Sequence, residues 1–308
     1  MRSFVNLRSV PKIDLRGMIS EATRAKIERG FVEKAKPDKQ LALKDRIVAL
    51  IFEKPSTRTR VSFDVGIRQM GGTSMILRSS DLQLTNGEDI CDTARVLSRY
   101  VDMIIFRTFD EKRLVELAQG SSVPVINGLT DRSHPCQVMA DIMTFEESKG
   151  SIAGKKVVWV GDGNNVCYSY IQAAAKFGFE LAIACPSQFC PDKLSLDISR
   201  DDGAVIKLWQ NPLEAAKNAD LVVTDTYISM HDDKSSAQNR VEVFKGYQVN
   251  ADLMAKAKDS ALFLHCLPAH RDIEVTSEVL DGPQSMVFDA AENRLHIQKS
   301  IMRWCLSN

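Results

Sequence analysis

The chain has 308 residues, 44% hydrophobic and 26% charged, and its 40 basic residues balance its 40 acidic ones. That length supports a large core divided between two domains, and a formal net charge of zero supplies no basic stripe for nucleic acid or an anionic membrane, so any anion has to be held locally. The chain contains no apolar run of membrane-spanning length, and its N-terminus has no signal-peptide core. Seven cysteines without paired spacing read as reduced thiols, most of them small core filler, and the expected setting is cytoplasmic. Cys185 and Cys190 lack histidine partners nearby, so no metal site is expected there.

After an amphipathic opening segment, short apolar runs at 46–52, 73–78, 102–107 and 123–127 alternate with helical patterns. Unbroken apolar strands separated by helices predict a parallel sheet covered on both faces. In 134–150, Val138, Ile142 and Phe145 fall on one helical face and Gly150 supplies a stop, which predicts an interdomain helix. The strand pattern restarts at 155–161, 180–185, 204–209, 220–226 and 261–268. A long polar connection at 229–250 has the length of a lid or a disordered segment. A final helix over 290–306 is long enough to pack back on the first domain. The predicted class is α/β, with two doubly wound parallel-sheet domains joined by linking helices. The first domain covers 1–133 and is completed by about 290–308, the linking helix covers 134–150, and the second domain covers 151–289.

The stretch KPSTRTRVSF follows the first strand directly. Ser56, Thr57, Arg58 and Thr59 therefore sit where the carboxyl end of a parallel strand meets a helix N-terminus. Backbone N–H groups, hydroxyls and guanidinium forks at such a place make a phosphate site. Arg58 and Arg60 in the first turn oppose the helix dipole unless an anion answers them. A capped surface helix with solvated arginines is the competing explanation. Arg107 ends the third strand, and His134 with Gln137 opens the linking helix, so all three can reach the same crevice. In GDGNNV, Gly161 and Gly163 follow a strand, but Val166 occupies the place of the third glycine of a dinucleotide fingerprint. The turn presents Asn164 and Asn165, whose amides suit a carboxylate. Asp225 ends one strand, with Ser229 and Met230 behind it, and Cys266 ends another beside His265. Each alone reads as a cap or a buried thiol. Together they suit an amino acid, with an acid for its α-amine, amides for its carboxylate and a thiol near the reacting end.

The segments FEKPSTRTR, DTARVLSRY, NGLTDRSHPCQ, GDGNNV, TDTYISM, HCLPAHR and FDAAENRLHIQK resemble the aspartate/ornithine carbamoyltransferase family over nearly the whole chain. SM after the Asp, and HCLP, resemble its ornithine branch. The resemblance implies that Ser56, Thr57, Arg58, Thr59, Arg107, His134, Gln137 and Arg294 bind carbamoyl phosphate, together with Cys266 and Leu267, which lie near the reacting δ-amine. Asn165, Asp225, Ser229 and Met230 would hold L-ornithine, and Arg107, His134 and Cys266 would act on the reacting atoms. It further implies a homotrimer, or a multiple of trimers, with Gln83 donated to a neighbouring subunit's site, and neither metal nor organic cofactor. Two positions depart from the family pattern: His231 follows Met230 where Gly is common, and Tyr168 stands where smaller or amide residues are usual. An aspartate acceptor would want a basic residue near Asp225, a scaffold relative would not need the whole phosphate set, and a dehydrogenase would rest on GDG alone.

Overall fold

The computed structural model describes residues 2–82, 87–227 and 234–307. It divides into two units, Met1–Met143 with Glu292–Asn308, and Thr144–Ala291, so the division falls inside the predicted linking helix.

In the first unit, β1 (Ile47–Phe52), β2 (Thr73–Arg78), β3 (Met103–Arg107) and β4 (Val125–Leu129) form a parallel sheet in the order β2-β1-β3-β4. β1 and β3 are apolar and almost wholly buried, as central parallel strands must be, whereas the edge strand β2 is half exposed. The chain leaves β1 for β2 on one side and returns to β3 on the other, so the direction of winding reverses between β1 and β3. Ligands of open parallel sheets bind outside the strand ends at such a reversal. Phe52 and Arg107 are register partners there, and the Glu53 N–H donates to the Arg107 carbonyl at 2.9 Å. β4 extends to Leu129, beyond the expected end at 127, with a register shift between Phe106 and Arg107. A Cβ on Gly128 would lie 3.3 Å from both Arg107 Cβ and the Phe106 carbonyl, so the glycine permits this irregularity.

The helix Pro135–Lys149 follows the predicted span, but it is buried on more than the predicted face: His134, Gln137, Asp141 and Thr144 are buried along with Val138, Ile142 and Phe145. The last helix, Val287–Leu306, begins three residues before the expected start. Its Lys299, 1% exposed, bonds Asp38 at 2.9 Å and Gln69 Oε1 at 3.0 Å, and its Ser300 hydroxyl donates to the Met18 carbonyl, which ties its end to the first unit.

In the second unit, β5 (Lys156–Val160), β6 (Glu180–Ala184), β7 (Val205–Trp209), β8 (Leu221–Thr224) and β9 (Leu262–His265) form a parallel sheet ordered β7-β6-β5-β8-β9. Its reversal lies between β5 and β8. The expected lid or disordered segment at 229–250 requires correction over its described part, because Lys234–Phe244 is a helix. Phe244 is fully buried and stacks on Tyr227 at 4.5 Å and 17°. Arg240 donates from Nε to the Tyr227 carbonyl at 2.6 Å, pairs with Asp162, and lies over the Phe189 ring at 4.5 Å. These partners are distant in sequence, so a polar composition gave no sign of them. Among the described residues, no helix is long and apolar enough to cross a membrane.

Candidate active site

One group of candidate residues, within the first unit, grows from the ends of β1 and β3. Ser56 caps the helix Thr57–Gln69 by accepting the Thr59 N–H at 3.2 Å, which aims the helix start at the reversal point. Thr59 is 1% exposed, and its Oγ1 accepts from Arg294 at 2.5 Å, so a residue 235 positions away joins the STRTR turn. Glu53 braces the strand end through an ion pair with Arg113 at 2.7 Å and a hydrogen bond from Thr108. Arg60, with Lys54, Ser56, Thr57 and Arg78, lines an open depression of about 740 Å³ beside the helix start. Of the two cations in that first turn, Arg58 is the one that acts on His134.

His134 is 4% exposed. Burial, followed by the charges of Arg294, Arg107 and Arg58, holds its imidazole well below the ordinary value of 6.5. The ring is therefore neutral at physiological pH, a single-proton donor inside a cationic cluster. Its backbone carbonyl opens the linking helix by accepting from Gln137 N at 3.1 Å. The preceding loop is held by Thr130, whose hydroxyl accepts the Ser133 N–H at 3.0 Å, and by Asn127, which donates to Ser133 Oγ at 2.9 Å. Ser133 in turn donates to Glu111, whose carboxyl is raised chiefly by burial. Gln137, 1% exposed, gives its amide N–H to Asp141 at 2.9 Å, while its Oε1 is a buried atom without a hydrogen bond. Cys136 beside it is pushed up to about 12 by burial and donates to the Asn127 carbonyl, so it is core rather than chemistry.

Another group, within the second unit, grows from β5, β8 and β9. Asp225, 7% exposed, accepts from Asn164 Nδ2 at 2.8 Å, from Cys266 Sγ at 2.7 Å and from the Thr226 N–H at 2.8 Å. Asn164 also caps the helix Asn165–Phe177 through Val166 N and Cys167 N. This corrects the expectation that both asparagines present amides to a ligand: the Asn164 side chain is spent on the cap and on Asp225. The glycines of GDG serve packing. A Cβ on Gly163 would meet the Phe189 carbonyl at 2.5 Å, and one on Gly161, at φ +123°, would meet the Tyr227 ring at 2.6 Å. The side chains of Asp225, His265 and Cys266 bring their ligand atoms within 4.8 Å of one another. His265, however, accepts the Leu267 N–H on Nδ1 and bonds Glu274 through Nε2. Both ring nitrogens are committed, so the cluster does not offer a three-ligand cation site.

Ser56, Thr57, Arg58, Thr59, Arg107, His134, Gln137 and Arg294 thus come together in the first unit, and Asp225, Cys266 and Leu267 with Asn165 in the second. Gln83, Ser229 and Met230 lie outside the described residues, as does His231. Asp141, Glu111 and Arg240 escaped sequence reasoning. Asp141 carried one faint signal, an acid four residues after Gln137 on a helix.

These features define a class of protein: two parallel-sheet α/β units, one with a cationic turn at its winding reversal, the other with an acid, an amide and a thiol at its own. Curated and solved proteins narrow that class. The chain belongs to the aspartate/ornithine carbamoyltransferase family, residues 2–147 matching its carbamoyl-P binding domain and 153–305 its Asp/Orn binding domain. It is 59% identical over 306 residues to the ornithine carbamoyltransferase of Ruegeria pomeroyi and, equally, to that of Paracoccus denitrificans, covering 99% of each chain. Among solved structures, the ornithine carbamoyltransferase from Pyrococcus furiosus superposes with a TM-score of 0.92 at 44% identity, covering 98% of this chain and 96% of that one. That from Burkholderia thailandensis gives 0.89 at 42%, with 99% of both chains covered.

Proposed function

We propose that the chain transfers the carbamoyl group of carbamoyl phosphate to the δ-amine of L-ornithine, giving L-citrulline and phosphate. The observation that carries this reading is the buried, neutral His134 set among Arg58, Arg107 and Arg294. Phosphate is received by the N–H groups and hydroxyls of Ser56, Thr57 and Thr59 and by Arg58. Arg107 and His134 donate to the carbamoyl oxygen, on which negative charge develops as the amine attacks the carbonyl carbon. Gln137 assists in holding the carbamoyl group. The tetrahedral intermediate collapses by breaking the bond from carbon to the phosphate oxygen, and the departing phosphate accepts the proton lost by the amine. Asp225 faces the α-ammonium of ornithine and Asn165 its carboxylate, with Ser229 and Met230 assigned to the same group by resemblance. Cys266 and Leu267 face the reacting end. The acid at 225 favours ornithine over aspartate, whose second carboxylate it would repel.

Incubation of the purified chain with carbamoyl phosphate and either ornithine or aspartate tests the reading. Citrulline with ornithine is expected. Carbamoyl-aspartate formed faster than citrulline would reverse the acceptor, and no product from either would reject the transfer. We further propose a homotrimer with Gln83 reaching a neighbouring subunit's site. Light scattering of the purified protein checks it, a monomer with full activity being the contrary result. All seven cysteines are thiols, which supports a reducing, cytoplasmic setting.

A further inference from the structure

Beyond the residues assigned to substrates, one buried acid spans both ends of the loop that carries Cys266 and Leu267. Glu274 is fully buried, and its Oε1 accepts from His265 Nε2 at 3.3 Å and from the His270 backbone N–H at 2.5 Å. His265, at the end of β9, is 1% exposed and accepts the Leu267 N–H on Nδ1 at 2.9 Å. Since Nδ1 is the acceptor, the ring proton lies on Nε2 and points at Glu274. Leu267 stands at φ +55°, a conformation L-residues adopt reluctantly, and the His265 bond is what holds its N–H there. At the far end of the loop, His270 Nδ1 bonds the hydroxyl of Thr226, the residue after Asp225, at 2.9 Å. The same carboxylate thus fixes where Cys266 lies, 2.7 Å from Asp225.

Glu274 Oε2, by contrast, is buried and accepts no hydrogen bond, with His270 Nδ1 3.7 Å away. A half-satisfied buried carboxylate is a poor structural choice when an apolar side chain of similar volume would pack as well. Local rules of this kind are broken where function requires it. We propose that Glu274 is a positioning residue for the acceptor side of the site: it selects the Nε2–H tautomer of His265 and thereby sets the Cys266–Leu267 turn against the amino-acid substrate. The proposal rests on the carbamoyl-transfer reading.

Ring-¹⁵N-labelled wild-type protein, with the His265 signals assigned by His265→Gln, is expected to show His265 as the Nε2–H tautomer. The Nδ1–H tautomer would overturn the proposal, and this measurement does not depend on turnover. In kinetics, Glu274→Leu is expected to raise the ornithine KM and lower kcat, each about tenfold or more, because small misplacements of a positioned reactant are costly. The carbamoyl phosphate KM should rise less than the ornithine KM, since apart from Cys266 and Leu267 the residues assigned to that substrate sit on the first unit. Glu274→Gln keeps an acceptor oxygen and is expected to restore both parameters to within about threefold of wild type. A folded Glu274→Leu with wild-type ornithine kinetics, or one equally impaired for both substrates, overturns the proposal. Should the Leu variant not fold, Glu274→Asp, one methylene shorter, must show the same selective rise in ornithine KM, and an unchanged KM overturns it. Wild-type protein that makes no citrulline would reject the transfer reading instead, with the tautomer result still standing.

Discussion

Replacing His134 with Asn separates what its neutrality does for stability from what its N–H does for catalysis. In the unfolded chain this ring has its ordinary value of 6.5, whereas burial and three arginines hold it well below that in the folded protein. The unfolded state therefore takes up the proton first as pH falls, and stability falls with it from the unfolded value downward. Between about pH 7.5 and pH 5.5 the unfolded ring gains most of a proton and the folded one does not, a loss of about 1.4 kcal/mol from this residue. Its complete burial means that solvent does not screen the effect. His296, pushed down to about 3 by burial and then by Lys299 and Lys26, acts in the same direction, but it is present in both proteins and cancels in the comparison. Urea unfolding at the two pH values should show wild type losing about 1.4 kcal/mol more than His134→Asn. The variant's citrulline turnover at neutral pH should fall about a hundredfold or more, the usual cost of losing an oxyanion donor. Equal pH dependence of stability in the two proteins would refute the neutral-imidazole argument, and turnover within a few-fold of wild type would refute the donor role.

Arg294→Met breaks the 2.5 Å bond to Thr59 and removes a cation from the phosphate turn, so carbamoyl phosphate KM should rise and kcat fall about a hundredfold by steady-state assay; parameters within threefold of wild type would count against the assignment. In Cys266→Asp, a second carboxylate beside Asp225 stabilises the protonated δ-amine, so turnover should drop near neutrality and recover as pH rises. Wild-type kcat/KM for ornithine should itself climb about tenfold per pH unit, since an amine of pKa near 10.4 is almost wholly protonated at pH 7. A flat wild-type profile with chemistry rate-limiting would sink that account. Gly163→Ala places a methyl 2.5 Å from the Phe189 carbonyl and should lower stability by about 2 kcal/mol in urea unfolding, with an unchanged midpoint showing that the turn has room after all.

Much of this molecule is legible as a string of residues. Parallel central strands are buried on both faces, so β1, β3, β5 and β8 had to be unbroken apolar runs, and each stands out for that reason. The STRTR turn was equally plain, because a capping Ser and two arginines behind a strand form a contiguous pattern whose chemistry is local. The order of strands was decided only by the tertiary structure, and with it the reversal points that bring Arg107 beside the β1 end and Asp225 beside the β5 turn. The two asparagines of GDGNNV look alike in sequence, and only the tertiary structure turned Asn164 inward to Asp225. Arg240 and Glu274 were silent because their partners come from other loops and strands: Tyr227 and Asp162 for the first, His265 and the His270 backbone for the second. Periodicity and local chemistry report on a residue's own segment. Which buried acid orients which histidine depends on three-dimensional juxtaposition, where the desolvation of a charge, not its place in the chain, selects its partner.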